Sequence, residues 1–259
     1  MAKPRPYPLH GILVLSLPGQ GGSSALTSHY FDPNADHGEI RDRLAHWFSL
    51  WGIPVGHTAN FATDLEESFF ETVWCSEVPQ HLHGPQTVRY YAANGEKVLD
   101  TLREYRPRVI IVLSAYLYEA LASEVMASRV TAVIGKALGP ARRITAQRLK
   151  AMEQRFEHCR VLVLPTPSKN TTDDYVRSLT APVREALSEA GFELDEAPDT
   201  LSDAAKALLV LDEKATLQKW ENQLRIEPER ALSLLKALVK QGIISAPDEK
   251  GRRFVKRLP

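Results

Sequence analysis

Short apolar runs alternate along the chain with segments whose apolar residues recur at helical spacing. Continuous apolar runs bounded by turn residues are typical of buried strands, whereas the 3.6-residue period is typical of helices that pack on one side. The predicted strands lie within HGILVLSLPG (10–19), FETVWCSEV (70–78), RVIIVLSAY (108–116) and CRVLVLPTPS (159–168). The predicted helices lie within GEIRDRLAHWFSLWGI (38–53), TVRYYAANGEKVLDTLREYRP (87–107), YLYEALASEVMA (116–127) and TDDYVRSLTAPVREALSEAGF (172–192).

This alternation predicts an α/β fold with a mostly parallel central sheet and helices on both faces. The last helical segment forms one or two helices, with Thr171 or Thr172 as the expected cap, and residues 134–156 have no defined pattern. Ligands of such sheets bind at the carboxyl ends of the strands. Here those ends are followed by SLPGQGGSS, CSEVPQH, LSAY and PTPSKN.

The pattern changes after Gly191, where the sequence becomes acidic and is broken by proline. We therefore predict a first domain at 1–195, a linker at 196–211 and a small C-terminal domain at 212–259. Within that C-terminal domain, a pair of helical segments meets at a turn and is followed by two short strand-like pieces, GIIS and RRFVKRL. Two helices followed by a β-hairpin form the winged-helix pattern.

The segment LQKWENQLRIEPERALSLLKALVKQGIISAPDEKGRRFV (217–255) resembles the winged-helix domain that ends FtsK-type DNA translocases. The resemblance implies a recognition helix over residues 228–241 and a basic wing. Arginine and lysine at such places bind phosphates and base edges. The DNA-binding residues implied are Arg225, Arg230, Lys236, Lys240, Lys250, Arg252 and Arg253. A winged helix that binds protein, with solvated basic residues, is the alternative.

The composition of the chain argues against several classes of function. Lys+Arg and Asp+Glu both number 32, so net charge by itself gives no argument for nucleic acid. The two cysteines, Cys75 and Cys159, are far apart and form no C-x-x-C pair, which argues against a cysteine-rich metal site and suits a reduced cytoplasm. The N-terminal apolar run is too short to span a bilayer. We expect a cytoplasmic protein without a cofactor and with no membrane partner.

Three motifs of the first domain are similar, in order and spacing, to those of the uracil-DNA glycosylase superfamily. They are LVLSLPGQ after the first strand, YAANGEKVLDTLREYRPRVIIVLSAYLYEAL in the middle, and VLVLPTPSKN at the last strand. The resemblance implies a base-flipping enzyme that hydrolyses an N-glycosidic bond. In that superfamily a polar residue of the first loop positions water, and a histidine of the last motif stabilises the departing base.

This chain departs from the family at both positions, because Ser16 and Leu17 stand in the first loop and Thr166 replaces the histidine. A threonine hydroxyl can donate a hydrogen bond but carries no positive charge. Either catalysis is lost and the fold only binds DNA, or the enzyme acts on a different base with a carboxylate from elsewhere in the chain. The candidate catalytic residues are Asp32, Asp36, Ser16 and Thr166, with Glu39 as a further acid. The candidate base-pocket residues are Gln20, Tyr30, Phe31, Ser168 and Asn170, and Lys169 is a candidate DNA contact.

Three functions follow as alternatives. The first is a DNA glycosylase that excises a modified base other than uracil, with a hypermodified phage base as one target and phage defence as one setting. The second is a catalytically inactive glycosylase-fold DNA-binding protein in replication, plasmid maintenance or regulation. The third is a nucleotide-binding regulator whose run Gly19, Gly21, Gly22 and Ser23 holds a phosphate.

Two further clusters of polar residues have weaker patterns. His81 and His83 form an H-x-H pair without a third ligand at recognisable spacing, which is more often structural than metal-binding. Arg142, Arg143, Arg148 and Lys150 form a candidate phosphate patch, with a solvated helix face as the alternative. The oligomeric state is left open.

Overall fold

A computed structural model of the chain describes residues 7–17, 29–34, 38–53, 55–57, 62–75, 77, 81–145 and 149–194, and, further on, 214–215, 232, 235–236, 238–239, 244–247 and 253–254. The chain divides into two compact units, Met1–Asp195 and Glu196–Pro259. No helix among the described residues is long and apolar enough to cross a membrane.

The first unit is built on a six-stranded sheet in the order β2-β1-β3-β6-β5-β4. Its strands are β1 (Ile12–Ser16), β2 (Phe69–Val73), β3 (Val109–Val112), β4 (Arg142–Arg143), β5 (Met152–Arg155) and β6 (Arg160–Val163). The neighbours β2, β1, β3 and β6 pair in parallel, while β5 and β4 add an antiparallel edge. The α/β class and the mostly parallel sheet are confirmed.

Helices cover both faces of this sheet. They are α1 (Glu39–Leu50), α2 (Asp64–Glu67), α3 (Pro85–Ala93), α4 (Glu96–Tyr105), α5 (Ala115–Leu121), α6 (Glu124–Ile134), α7 (Asp173–Arg177) and α8 (Thr180–Glu189). Along β1, Ile12 and Val14 pack into a core with α1, α7 and α8. Leu13 and Leu15 pack into a second core with α3, α4, α5 and α6. Alternate residues of one fully buried strand thus supply two cores.

Two segments predicted as single helices are each broken. Residues 87–107 form α3 and α4, separated at Asn94 and Gly95. A Cβ on Gly95 would lie 2.5 Å from the end of the Met126 side chain, so α6 packs closely against this break and a larger residue would displace that side chain. Between α5 and α6, the Ser123 hydroxyl donates to the Ala120 carbonyl at 2.6 Å, at the end of α5. Local periodicity does not show either break.

The segment without a defined pattern, 134–156, contains the β4–β5 hairpin at the edge of the sheet. Its two strands contain mostly charged and polar residues. The buried Glu153 of β5 forms ion pairs with Arg142 of β4, Arg155 of β5 and Arg160 of the neighbouring β6. Those hydrogen bonds hold the pKa of Glu153 below its usual value, against burial, which would raise it. A strand stabilised by ion pairs does not show the apolar alternation that predicts strands.

Fewer residues of the second unit are described. Leu232, Leu235, Lys236, Leu238 and Val239 are helical, as predicted. Leu235, Leu238 and Ile244 are buried, and β7 (Lys214–Ala215) pairs antiparallel with β8 (Arg253–Phe254). The last predicted strand therefore pairs with Lys214–Ala215, which precedes the predicted helices. The predicted linker lies outside the described residues, and the winged helix stays a prediction.

Candidate functional site

The candidate site lies at the carboxyl ends of the parallel strands. The chain passes from β1 to β2 on one side and then to β3 on the other side of β1, so the order of the strands reverses beside β1. The carboxyl ends of strands at such a reversal form the ligand crevice of doubly wound sheets. The loops after β1, β3 and β6, which carry the three glycosylase-like motifs, leave the sheet at this one edge.

The Pro165–Ser168 turn is attached to the end of β3. The Thr166 hydroxyl donates to the Leu113 carbonyl at 2.6 Å, and the Leu164 amide donates to the Val112 carbonyl at 2.9 Å. A hydroxyl has one hydrogen to donate, so Thr166 can offer a ligand only its lone pairs. The two prolines and this bond together hold the turn rigid.

The Arg41–Glu71 cluster, made of Ser16, Tyr30, Arg41 and Glu71, lies buried on the α1 face of the sheet. The Ser16 hydroxyl donates to Glu71 at 2.5 Å, and Arg41 Nη2 donates to the other carboxylate oxygen at 2.9 Å. The Arg41 guanidinium lies 4.4 Å from the centroid of the Tyr30 ring. Burial and the nearby Glu71 raise the pKa of Tyr30, while Arg41 opposes the shift. The Ser16 hydroxyl therefore stabilises the Glu71 carboxylate of this cluster.

Sequence reasoning missed Arg41 and Glu71. The sequence contained a signal for the burial of each residue. Arg41 shares the buried face of α1 with Leu44 and Phe48, at i+3 and i+7. Glu71 follows the buried Phe69 by two positions and so lies on the same face of β2. A charged residue at an inward-facing position of each of two elements predicts a buried ion pair.

The Tyr30 and Phe31 rings pack into the core on the α1 face of the sheet. The exposed fractions of Tyr30 and Phe31 are 3% and 2%, and the Phe31 ring centroid lies 4.9 Å from that of Phe69, the first residue of β2. Asp32 accepts from the backbone amide and side-chain amide of Asn34 at 2.9 and 3.3 Å. These rings belong to the core beside the amino end of β2, and their role in a base pocket stays a prediction.

The remaining candidates divide into those that the structure describes and those that it does not. Ser168, Lys169 and Asn170 are exposed at the carboxyl edge directly after the Thr166 turn. Thr172 caps α7 by accepting from the Tyr175 amide at 3.3 Å, as predicted. Lys236 is exposed on the helix of the second unit. The candidates outside the described residues are Gly19, Gln20, Gly21, Gly22, Ser23, Asp36, Arg148, Arg225, Arg230, Lys240, Lys250 and Arg252; for Arg253 only the backbone is described.

A second polar cluster lies before β2. His57 Nδ1 lies 2.7 Å from Glu66, which also accepts from the amides of Gly56, His57 and Thr63. These bonds lower the pKa of Glu66, although burial acts to raise it. Among the residues that the structure describes, His81 and His83 included, no three histidine, cysteine or acidic side chains are grouped so that they could hold a metal ion.

The fold is a doubly wound α/β fold whose strand order reverses beside β1, and the candidate site is the carboxyl edge of β1, β3 and β6. Comparison of the sequence with models of known protein families gives no match. Comparison with curated proteins gives no match either. The function is therefore argued from the geometry and from the motifs on this edge.

Proposed function

We propose that this chain is a DNA-binding protein whose first unit is glycosylase-like and contacts DNA through the carboxyl edge of its sheet. The observation that carries the proposal is the adjacency of β1, β3 and β6. Their three motif-bearing loops leave the sheet side by side, and Thr166 ties the last loop to the end of β3. Exposed Ser168, Lys169 and Asn170 supply polar and positive groups there, of the kind that bind phosphates.

Binding without excision is the function that the described groups support best. A glycosylase needs an acid or a positioned water near the sugar and a donor near the departing base. Ser16 donates its hydrogen to Glu71, Thr166 donates its own to Leu113, and Asp32 is engaged in its own turn. None of these three described candidates presents a free catalytic hydrogen or carboxylate at the carboxyl edge.

Excision of a modified base is the second candidate. The observation that favours it is the strand order, which sends the chain out of β1 at the edge that holds the Thr166 turn. Gln20 and Asp36 follow β1 in the sequence and supply the amide and the carboxylate that such chemistry requires.

One experiment separates these functions. The full chain is titrated with labelled duplex and single-stranded DNA at several salt concentrations, and is then incubated with DNAs containing uracil, hypoxanthine or hypermodified phage cytosines. Alkali cleavage reports abasic sites. Salt-dependent binding without cleavage supports the first proposal. Cleavage of one DNA that is lost in Asp36→Asn establishes excision.

Two results would contradict both candidates. One is the absence of DNA binding at low salt. The other is saturable binding of a mononucleotide without any binding of DNA, which would support the nucleotide-regulator hypothesis.

A further inference from the structure

We infer that the groove between the β4–β5 hairpin and the start of α8 binds a backbone phosphate of the DNA. This inference rests on the proposed function and assigns to it a specific contact surface. The groove has a volume of about 530 Å³ and lies outside the three glycosylase-like motifs. Its lining residues are Arg142, Arg143, Ile144, Thr145, Ala181, Pro182 and Glu185.

The hairpin places the groove at the edge where the candidate DNA surface lies. Arg143 pairs with Met152, which pairs with Val163, the last residue of β6. The Ile144 amide donates to the Ala151 carbonyl, so the hairpin continues beyond the end of β6. The groove and the Pro165–Ser168 turn therefore lie at the same end of the sheet.

The charges of the hairpin favour an anion. Arg142 and Arg143 are exposed, and Lys150 is exposed where the chain returns to β5. Arg142 contacts Glu153 at 2.7 Å while its side chain remains 57% exposed, so it can contact a second anion. The acidic residue of the lining, Glu185, contacts Arg155 at 3.1 Å, which offsets its repulsion of a phosphate.

The start of α8 also favours an anion in the groove. Its first turn contributes Ala181 and Pro182 to the lining, and the amino end of a helix carries partial positive charge that adds to the charge of the arginines.

The test measures how DNA affinity of the full chain depends on salt in matched variants. Arg143→Gln removes a charge of the groove lining, Lys150→Gln removes an exposed charge of the same hairpin, and Arg143→Lys keeps the charge. The controls are Arg106→Gln and Lys97→Gln, which remove exposed charges away from the groove. Lys97 lies on α4, and Arg106 follows α4 at the amino edge of the sheet. Each loss of one phosphate contact reduces the slope of log K against log salt by about 1 and weakens binding roughly fivefold to tenfold near 0.1 M salt.

The expected result is a reduced slope for both groove variants, a slope close to that of the unchanged chain for Arg143→Lys, and no change for the controls. Unchanged slopes in the groove variants, with DNA binding intact, would overturn this inference alone. Equal losses in the controls would also overturn it. Absence of DNA binding by the unchanged chain would overturn the proposed function together with the inference.

A separate titration with inorganic phosphate at constant ionic strength distinguishes a free anion from a DNA phosphate. Saturable phosphate binding that is lost in Arg143→Gln, with an unchanged DNA slope, would assign the groove to a free anion and would overturn its assignment to DNA.

Discussion

Arg41 and Glu71 form an ion pair inside the first unit, with side chains 1% and 6% exposed. Removing two charges from water is costly, and the hydrogen bonds from Ser16 to Glu71 and from Arg41 to Glu71 offset that cost. The pair joins α1 to β2 on the core face. Its orientation depends on both partners, because either charge alone would be buried without compensation.

Glu71→Gln is expected to destabilise the first unit by about 3–5 kcal/mol, because it leaves the buried Arg41 without its carboxylate. Urea unfolding followed by circular dichroism measures the change. Glu39→Gln is the control, since it breaks an exposed pair with Arg43 on the same helix and should leave the unfolding midpoint unchanged. An equal effect of the two substitutions would contradict the importance of burial.

Thr166→Val is expected to cost about 0.5–1.5 kcal/mol of stability, because valine keeps the shape but removes the hydrogen bond to Leu113. Thr166→Ser keeps the hydroxyl and should retain most of the stability. Both variants should bind DNA as the unchanged chain does. If Thr166→Val instead abolished base release while remaining folded, the residue would be catalytic.

At the scale of the element, α2 shows how a four-residue helix is held in place. Thr63 accepts from the Glu66 amide, and Glu66 accepts from the Thr63 amide, which forms a capping box. Glu66 also binds the loop with Gly56 and His57, so one carboxylate connects the helix start to a loop earlier in the chain. The entry into β2 depends on this connection.

The stability that Glu66 contributes should depend on pH. Burial alone would raise its pKa, yet the hydrogen bonds from Thr63, His57 and Gly56 lower the pKa in the folded state. A lowered folded pKa stabilises the protein above the unfolded value, and that contribution disappears as pH falls through the folded pKa. Glu66→Gln should therefore destabilise the protein at neutral pH, and the difference should shrink below about pH 4.5.

Thermal unfolding over a pH series measures this difference. Glu67→Gln, at an exposed position of the same turn, removes a carboxylate but leaves the Glu66 hydrogen bonds in place. A difference between Glu66→Gln and the unchanged chain that stayed constant from neutral to acid pH would contradict the assignment.

At the scale of the whole molecule, each unit has its own buried residues. The two cores of the first unit are built from residues up to Leu194, while Leu235, Leu238 and Ile244 are buried in the second. A region with a complete core of its own can fold alone. The first unit, with its two cores, is therefore a candidate for independent folding.

A fragment of residues 1–195 is expected to unfold cooperatively, with a midpoint within a few degrees of the first-unit transition in the full chain. Its DNA binding should show a smaller salt slope, because the candidate basic residues of the second unit are missing. Scanning calorimetry and anisotropy titrations measure the two properties. An unfolded fragment would contradict the division, and an unchanged slope would contradict DNA contact by the second unit.

Local patterns in the sequence predict most of the architecture of the first unit. The apolar runs predicted the four parallel strands, and the Thr171–Thr172 pair predicted the start of α7, because these signals arise within a few residues. The hairpin of residues 142–155 was missed because its strands are held by ion pairs with Glu153. The breaks at Gly95 and Ser123 were missed because the helical period of apolar residues continues across both.

The sequence by itself determined the α/β class, the burial of the strands and the residue types available for a site, since these follow from period and composition. The tertiary structure decided which of those residues meet. It joined Ser16 to Glu71, bound Thr166 to Leu113 and placed Tyr30 in the core. Hydrogen bonds between residues more than fifty positions apart leave no local pattern, so only the folded chain shows which side chains are already engaged.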